Sequence, residues 1–249
     1  MTRILTVISL GLMLAVATAV ASAKGGAQAA LPTLDQVLDK YIAASGGRAA
    51  LEKITSSQAK GTIDIPDANL SGTIELIQKA PNLASTVVEL PGVGRQRDVF
   101  DGTTGWTEDP MNGVRDKSGV ELAEAKRAAI FGRELKLKTL YQTMTVKGRE
   151  QVGGRDAIVV EAVPAEGSPV KMSFDAENGL LVKQTGTRQT PQGPLEVTVT
   201  LENYRAVDGV QHAFTIRQST SMHRRFYAGF QAFRVSSFPA FRLTGLLTQ

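Results

Sequence analysis

The chain has 249 residues with 28 basic side chains, 24 acidic side chains and no cysteine. Disulfides, cysteine-ligated metals and thiol catalysis are therefore excluded, and stability has to come from packing and hydrogen bonds. All 24 acidic residues lie between Lys24 and Thr220, where 23 basic residues balance them, so the net charge of +4 comes from the two ends of the chain. A neutral central region argues against nucleic acid as a partner.

The first 23 residues have the three parts of a signal peptide. Arg3 is basic, Ile4 to Val20 is almost entirely apolar, and Ala21-Ser22-Ala23 supplies the small residues of a cleavage site. We expect cleavage near Ala23, a periplasmic mature protein and a flexible linker over residues 24–32. An uncleaved anchor is the alternative, since the apolar run is just short of the roughly 20 residues that span a bilayer. No cysteine follows the run, so a lipid anchor is not expected.

Two regions have the apolar spacing of helices. Thr33 is a candidate N-cap for a helix that ends at Gly46-Gly47, with a short further turn after it. Ser118 and Glu121 form the pattern of a capping box, which predicts a helix through Ile130. Gly132 interrupts this helical region before it continues over residues 135–144.

The rest of the chain alternates apolar and polar residues between turn signals, as antiparallel strands do. The resulting fold class is mainly β (α+β), with about ten strands in a large curved sheet or open barrel and helices over one face. An outer-membrane barrel is disfavoured because the strands of such a barrel run about 9–11 residues, whereas the strands predicted here are mostly shorter. The predicted strands cover residues 62–65, 71–76, 86–90, 97–100, 146–151, 157–163, 170–174, 180–187, 195–204 and 211–216, with a hairpin at 101–106.

The residues of a catalytic or metal site are largely missing. His212 and His223 are the only histidines, and they lie in a predicted strand and in the unusual C-terminal segment. A histidine-based metal site or a Ser-His-Asp relay therefore has almost nothing to draw on. Paired carboxylates such as Glu108 and Asp109 are better explained as turn residues or solvated faces. We expect no catalysis, no metal and no cofactor.

Three short stretches suggest a family. They are LDKYIAASGG at residues 38–47 running into ALEKI at 50–54, VFDGTTGW at 99–106 and FDAENGLL at 174–181. Together they resemble the outer-membrane lipoprotein-sorting superfamily, the LolA/LolB-like periplasmic carriers, over about Thr33 to Arg217. The resemblance lies in the order of elements and in turn motifs, and it transfers no single functional residue to this chain.

The resemblance implies an unclosed antiparallel β-barrel with two to three helices lidding a concave apolar face. It also implies a carrier for lipid or lipoprotein acyl chains, with transient membrane contact at most. The alternative is an envelope sensor or scaffold that binds another protein through the same curved sheet, and a hydrolase is a distant third reading. The candidate ligand-binding residues are apolar side chains expected on the inner face: Ile74, Leu76, Val88, Leu90, Trp106, Phe131, Leu135, Leu140, Met172 and Phe174.

The last 29 residues differ from the domain expected over residues 33–220. Residues 221–249 hold five of the nine phenylalanines and four arginines, and they hold no acidic residue. Phe226, Phe230 and Phe233 are spaced for one face of a basic amphipathic helix that would lie on an anionic membrane. The other interpretation is a frameshift near Thr220, which would remove a final strand and leave a sheet edge exposed.

Overall fold

The computed structural model describes residues 30–190, 193–221 and 225–236. The predicted signal peptide, most of the predicted linker and the end of the C-terminal segment lie outside these ranges. Within them the fold is a single antiparallel sheet of 13 strands with four α-helices. The predicted fold class, mainly β with an open sheet, is confirmed.

The sheet consists of two meanders that meet at its centre. The chain first builds outward from β1 to β6, crosses through the helical region to the far edge at β7, and returns strand by strand to β13, which pairs with β1. In the described residues β6 and β7 each have one neighbour, so the sheet does not close into a barrel. The strands are β1 Ser56–Ile65, β2 Leu70–Lys79, β3 Leu83–Leu90, β4 Gly94–Phe100, β5 Gly105–Asp109, β6 Gly113–Asp116, β7 Thr143–Val152, β8 Arg155–Val163, β9 Val170–Asp175, β10 Leu181–Thr190, β11 Gly193–Val207, β12 Val210–Thr220 and β13 Arg225–Ser236.

Short turns hold successive strands in register. Between β11 and β12, Asp208 and Gly209 have φ angles of +49° and +81°. Two consecutive residues with positive φ match the right-handed twist of the strands they connect, and Asp-Gly is a favoured pair for such a turn. The turn predicted at Asp208-Gly209 is therefore confirmed.

The helices are α1 Leu34–Ala44, α2 Arg48–Lys53, α3 Gly119–Ala129 and α4 Leu137–Leu140, with a 3-10 turn at Arg133–Leu135. Thr33 caps α1 as predicted, in a reciprocal capping box with Gln36. The capping box predicted at Ser118 is wrong, because the carboxylate of Glu121 binds the guanidinium of Arg115 at 2.7 and 2.9 Å and does not turn back to the N-cap. The predicted helical stretch also ends earlier, since β7 begins at Thr143.

Two apolar clusters hold the fold together. In the first, α1 packs on β8 and β9, and the rings of Tyr41 and Phe174 meet edge to face at 5.1 Å. The second lies where the two meanders meet and contains Ala59, Phe214, Ala228 and Phe230. Edge-to-face ring contacts and complete burial make the first cluster a rigid support for the helices.

Within the C-terminal segment, residues 225–236 continue the sheet. β13 lies between β1 and β12, with Ser56 opposite Ser236 and Thr215 opposite Gly229. The amphipathic-helix interpretation of its phenylalanines is wrong, because β1 and β12 both offer backbone partners to an extended segment. The register shifts between Lys60 and Gly61, which returns Phe233 to the side of the sheet that Phe230 occupies. The frameshift remains a prediction about the gene.

Among the described residues, no helix is long and apolar enough to cross a membrane.

Candidate functional site

One face of the sheet carries the helices. Side chains at directly opposite positions of paired strands share a face. Phe100 in β4 is opposite Gly105 in β5, and a Cβ built at Gly105 would lie 3.3 Å from the Cδ1 atom of Leu122 in α3. The same row continues through Ala84 in β3. We call this side the helix-bearing face.

A row of side chains on the helix-bearing face crosses the centre of the sheet. Phe233 in β13 is opposite Ala59 in β1, which is opposite Leu76 in β2, which is opposite Thr86 in β3. Two residues from Ala59 along β1, Ser57 is opposite Gln78 in β2 and lies on the same face. The row therefore presents both apolar and polar side chains on the same side as α3.

A cavity of about 240 Å³ lies over this row. Its wall includes α2 and the segment around Phe131, whose backbone N–H donates to the carbonyl oxygen of Pro81 at 3.0 Å and so fixes the segment over the sheet. The lining is mixed, with nine apolar and six polar side chains besides Gly132. The lining residues are Leu51, Ile54, Ser57, Ala59, Leu76, Ile77, Gln78, Ala84, Ser85, Thr86, Phe131, Gly132, Glu134, Val210, His212 and Phe233.

The size of the cavity limits what it holds without movement. Ligand pockets commonly measure about 300–1,000 Å³, whereas an engineered apolar cavity of about 150 Å³ is enough for benzene. At about 240 Å³ this cavity accommodates a small ring system or one short hydrocarbon chain. A lipid with several acyl chains requires the helices above it to move.

His212 is the cavity's most unusual polar residue. Its ring stacks on Phe233 with centroids 4.9 Å apart and planes at 23°. Its Nε2 atom is shielded from solvent and has no hydrogen-bond partner among the described residues. Burial lowers the pKa of His212 below its usual value, so the imidazole is neutral at pH 7. Glu134 is the only carboxylate in the described lining.

Helix α3 crosses the helix-bearing face and is attached by polar and apolar contacts. At its start, Glu121 binds Arg115, and this hydrogen bond is the main reason that the pKa of Glu121 is lowered. Near its end, Arg127 donates to the carbonyl oxygen of Glu166 at 3.2 Å. Ala129 is the only buried residue of α3. The apolar residues Val120, Leu122, Ala123 and Ala125 are half-buried, so apolar packing also holds α3 on the sheet.

The ion pair between Lys117 and Asp98 adds a second attachment beside the first turn of α3. The ammonium nitrogen lies 2.5 Å from a carboxylate oxygen, and the Lys117 side chain is only 9% exposed. The residues of α3 contact β4 and β5 on one side and β10 on the other. The helix thus spans from the first meander to the second.

Within the part of the chain that the structure describes, no group of three or more His, Cys, Asp or Glu side chains is arranged to hold a metal ion.

Solved structures with the same arrangement identify the fold. A proposed outer membrane lipoprotein-sorting protein domain from Vibrio parahaemolyticus matches with a TM-score of 0.53 and 14% identity over 80% of this chain and 91% of that domain. A DUF1329 family protein from Desulfovibrio piger matches with a TM-score of 0.55 and 14% identity over 83% and 94%. A LolA superfamily protein from Nitrosomonas europaea matches with a TM-score of 0.54 and 14% identity over 84% and 96%.

The chain has a LolA-like fold. No protein-family model and no curated protein matches the sequence. At 14% identity the three structures show the architecture alone, and the ligand has to be argued from this chain's own residues.

In the structure, the predicted ligand-binding residues lie in separate groups. Leu76 and Phe131 line the cavity. Ile74 and Val88 are opposite each other, two residues along β2 and β3 from Leu76 and Thr86, and therefore lie on the same face as those two residues. Leu90, at the end of β3, is buried. These residues form one continuous region, and their contact with a ligand stays a prediction.

The other predicted residues lie elsewhere. Met172 and Phe174 are each 1% exposed and fill the first apolar cluster, against which Leu140 packs. Trp106 alternates with Gly105, so it lies on the opposite face, where the guanidinium of Arg97 is 4.7 Å from its ring. Leu135 is half-buried in the 3-10 turn beside the cavity.

The sequence prediction missed most of the polar lining of the cavity. Ser57, Gln78 and Thr86 alternate with outward residues in their strands, and this period would have placed Gln78 beside Leu76. His212 and Phe233 come from strands that join the site only through the pairing of the two meanders. No local signal in the sequence predicts that contact.

Proposed function

We propose that this protein is a periplasmic carrier that binds the hydrocarbon part of a lipid or lipoprotein, without catalysis. The cavity on the helix-bearing face carries the proposal: it is walled by Leu51, Ile54, Leu76, Phe131 and Phe233. The similarity of its fold to a LolA superfamily protein and to a proposed lipoprotein-sorting domain supports the same function.

Burial of hydrocarbon provides the driving force for binding. Each methylene removed from water contributes roughly 0.8 kcal/mol, so eight methylenes contribute about 6 kcal/mol before the cost of association. This magnitude gives reversible binding, which a carrier needs in order to release its cargo. The small cavity holds the first part of a chain, and a longer chain requires the segments over the sheet, α2 and the segment around Phe131, to move.

The proposed location in the periplasm rests on the N-terminal sequence. A cleavable signal peptide over residues 1–23 would deliver the chain to the envelope, where lipids and lipoproteins must cross an aqueous space. The absence of cysteine is compatible with an oxidising compartment, because the fold needs no disulfide.

The direct test is to fill the cavity. Ala59 is 3% exposed and lies at the centre of the lining row, so Ala59→Leu places three extra carbon atoms in the cavity. We expect binding of the neutral fluorescent probe N-phenylnaphthylamine to weaken about tenfold or more. The unfolding temperature should be unchanged or higher, because filling a cavity is commonly stabilising.

Gln58→Leu is the matched control. It lies next to Ala59 in β1 and faces the other side of the sheet, where its amide contacts Glu75. Probe binding should be unchanged in this variant. Equal probe affinity in Ala59→Leu and wild type, with both proteins folded, would contradict binding in this cavity.

The second candidate function is an envelope scaffold or sensor that binds a protein. The observation that favours it is the edge strand β7, whose ten residues alternate regularly between exposed and half-buried and pair with β8 alone in the described part of the chain. An open edge can accept a strand from a partner. A scaffold would retain partner binding in Ala59→Leu, whereas a carrier would lose cargo.

A further inference from the structure

Two residues that line the cavity, Ser85 and His212, each have a buried polar atom without a hydrogen-bond partner among the described residues. The Nε2 atom of His212 is removed from solvent, and no described residue donates to it or accepts from it. A buried polar atom that lacks a hydrogen bond destabilises the protein, and a ligand that supplies one regains that loss on binding. His212 therefore marks a point where the cavity favours a polar ligand atom.

Phenylalanine rings pack around the imidazole ring. Phe233 stacks on it, and Phe233 is itself held by Phe214 at 4.7 Å and by Phe230 at 5.3 Å. Arg205 is the residue opposite His212 in β11, but its guanidinium lies 4.6 Å over the ring of Phe214. The surrounding residues leave no room for a water molecule beside Nε2, so a ligand group reaches this atom only when the wall of the cavity shifts, and the nearest cation in the register is engaged elsewhere.

The charges around the cavity select the kind of ligand group. His212 is neutral at pH 7, so its two nitrogens provide one donor and one acceptor. Glu134 lines the same cavity and would repel a carboxylate or phosphate. Ser57, Gln78 and Thr86 add neutral hydrogen-bonding groups. The set suits a group that hydrogen-bonds without charge.

We propose that the cavity recognises a hydrocarbon that carries an uncharged hydroxyl group, and that this hydroxyl donates a hydrogen bond to the unprotonated Nε2 atom of neutral His212. The ligand class is that of fatty alcohols and hydroxylated acyl chains or rings. The inference rests on the proposed carrier function and specifies which part of a lipid enters the cavity. It assigns to His212 a specificity role that apolar packing alone does not provide.

The test uses isothermal titration calorimetry to compare three ligands that are each based on an eight-carbon chain. 1-Octanol offers a hydroxyl, octyl methyl ether an acceptor only, and octanoate a negative charge. In the wild-type protein we expect octanol to bind about tenfold more tightly than the ether, as one additional buried hydrogen bond provides. Octanoate should bind more weakly than octanol.

His212→Phe keeps an aromatic ring against Phe233 and removes both nitrogens. We expect octanol and the ether to bind this variant with equal affinity, while the affinity for the ether stays at its wild-type value. Gln58→Leu is the control, since it removes a polar side chain on the other side of the sheet and should leave the preference for octanol intact. Glu134→Gln should raise the affinity for octanoate selectively.

Each outcome is decisive. An unchanged preference for octanol in His212→Phe, or equal binding of octanol and the ether to wild type, would overturn the assignment of His212. Both results leave the carrier function standing, because hydrocarbon still binds. Failure of all three ligands to bind would overturn the inference together with the carrier function.

Discussion

The strand β13 provides the sharpest prediction about the fold. Phe230 is 5% exposed and packs with Ala59, Phe214 and Ala228 in the second apolar cluster. Replacing a buried phenylalanine by alanine typically costs about 3–5 kcal/mol, through lost transfer energy and the cavity left behind. We therefore expect Phe230→Ala to lower the free energy of unfolding by about 3 kcal/mol or more, a large share of the 5–15 kcal/mol that domains possess.

The assay is urea unfolding followed by tryptophan fluorescence. Trp106 is the only tryptophan in the sequence and is 4% exposed, so its emission reports unfolding of the sheet. With a urea dependence of about 1–3 kcal/mol per molar, the midpoint should fall by about 1 M or more. Gln231→Ala, at the exposed neighbouring position, should change stability by less than about 0.5 kcal/mol. Equal midpoints for the two variants would show that residues 225–236 do not belong to the sheet.

Two further predictions concern α3 and His212. Glu121→Gln removes the ion pair with Arg115. Because both side chains are partly exposed, we expect the free energy of unfolding to fall by less than about 1 kcal/mol, and we expect faster uptake of N-phenylnaphthylamine in stopped-flow mixing. An uptake rate equal to that of wild type would show that this contact does not hold α3 closed. The pKa of His212 is lower in the folded state than the roughly 6.5 of the unfolded chain, so protons bind the unfolded state more readily and stability is lost as pH falls through about 6.5. The difference in unfolding free energy between wild type and His212→Phe should therefore shift in favour of the variant from pH 8 to pH 5, and a shift in favour of wild type would refute the lowered pKa.

Much of the architecture follows from local signals. The capping box at Thr33 and the Gly46-Gly47 ending define α1 within the sequence itself, and the turn residues separate most strands correctly. Antiparallel meanders depend mainly on contacts between neighbours in the chain, which explains why period-two alternation and turns were sufficient. The capping box predicted at Ser118 does not form because the guanidinium of Arg115 is a stronger partner for the Glu121 carboxylate than a backbone N–H is.

β13 and the cavity depend on contacts that sequence does not show. The spacing of Phe226, Phe230 and Phe233 fits a helix, and only the pairing with β1, about 170 residues away, together with a register shift makes it fit a strand. The same pairing places Phe233 over Ala59 and beside His212. The sequence prediction therefore located Leu76 and Phe131 but treated His212 as an ordinary strand residue.

The carrier proposal is tested most directly by native mass spectrometry of the protein purified from the periplasm without detergent, followed by solvent extraction of whatever is bound. We expect a stoichiometric lipid adduct in wild type, a lower unfolding temperature once it is removed, and a strongly reduced adduct in Ala59→Leu. A bare mass that stays unchanged when lipid is added would contradict the carrier and favour the scaffold.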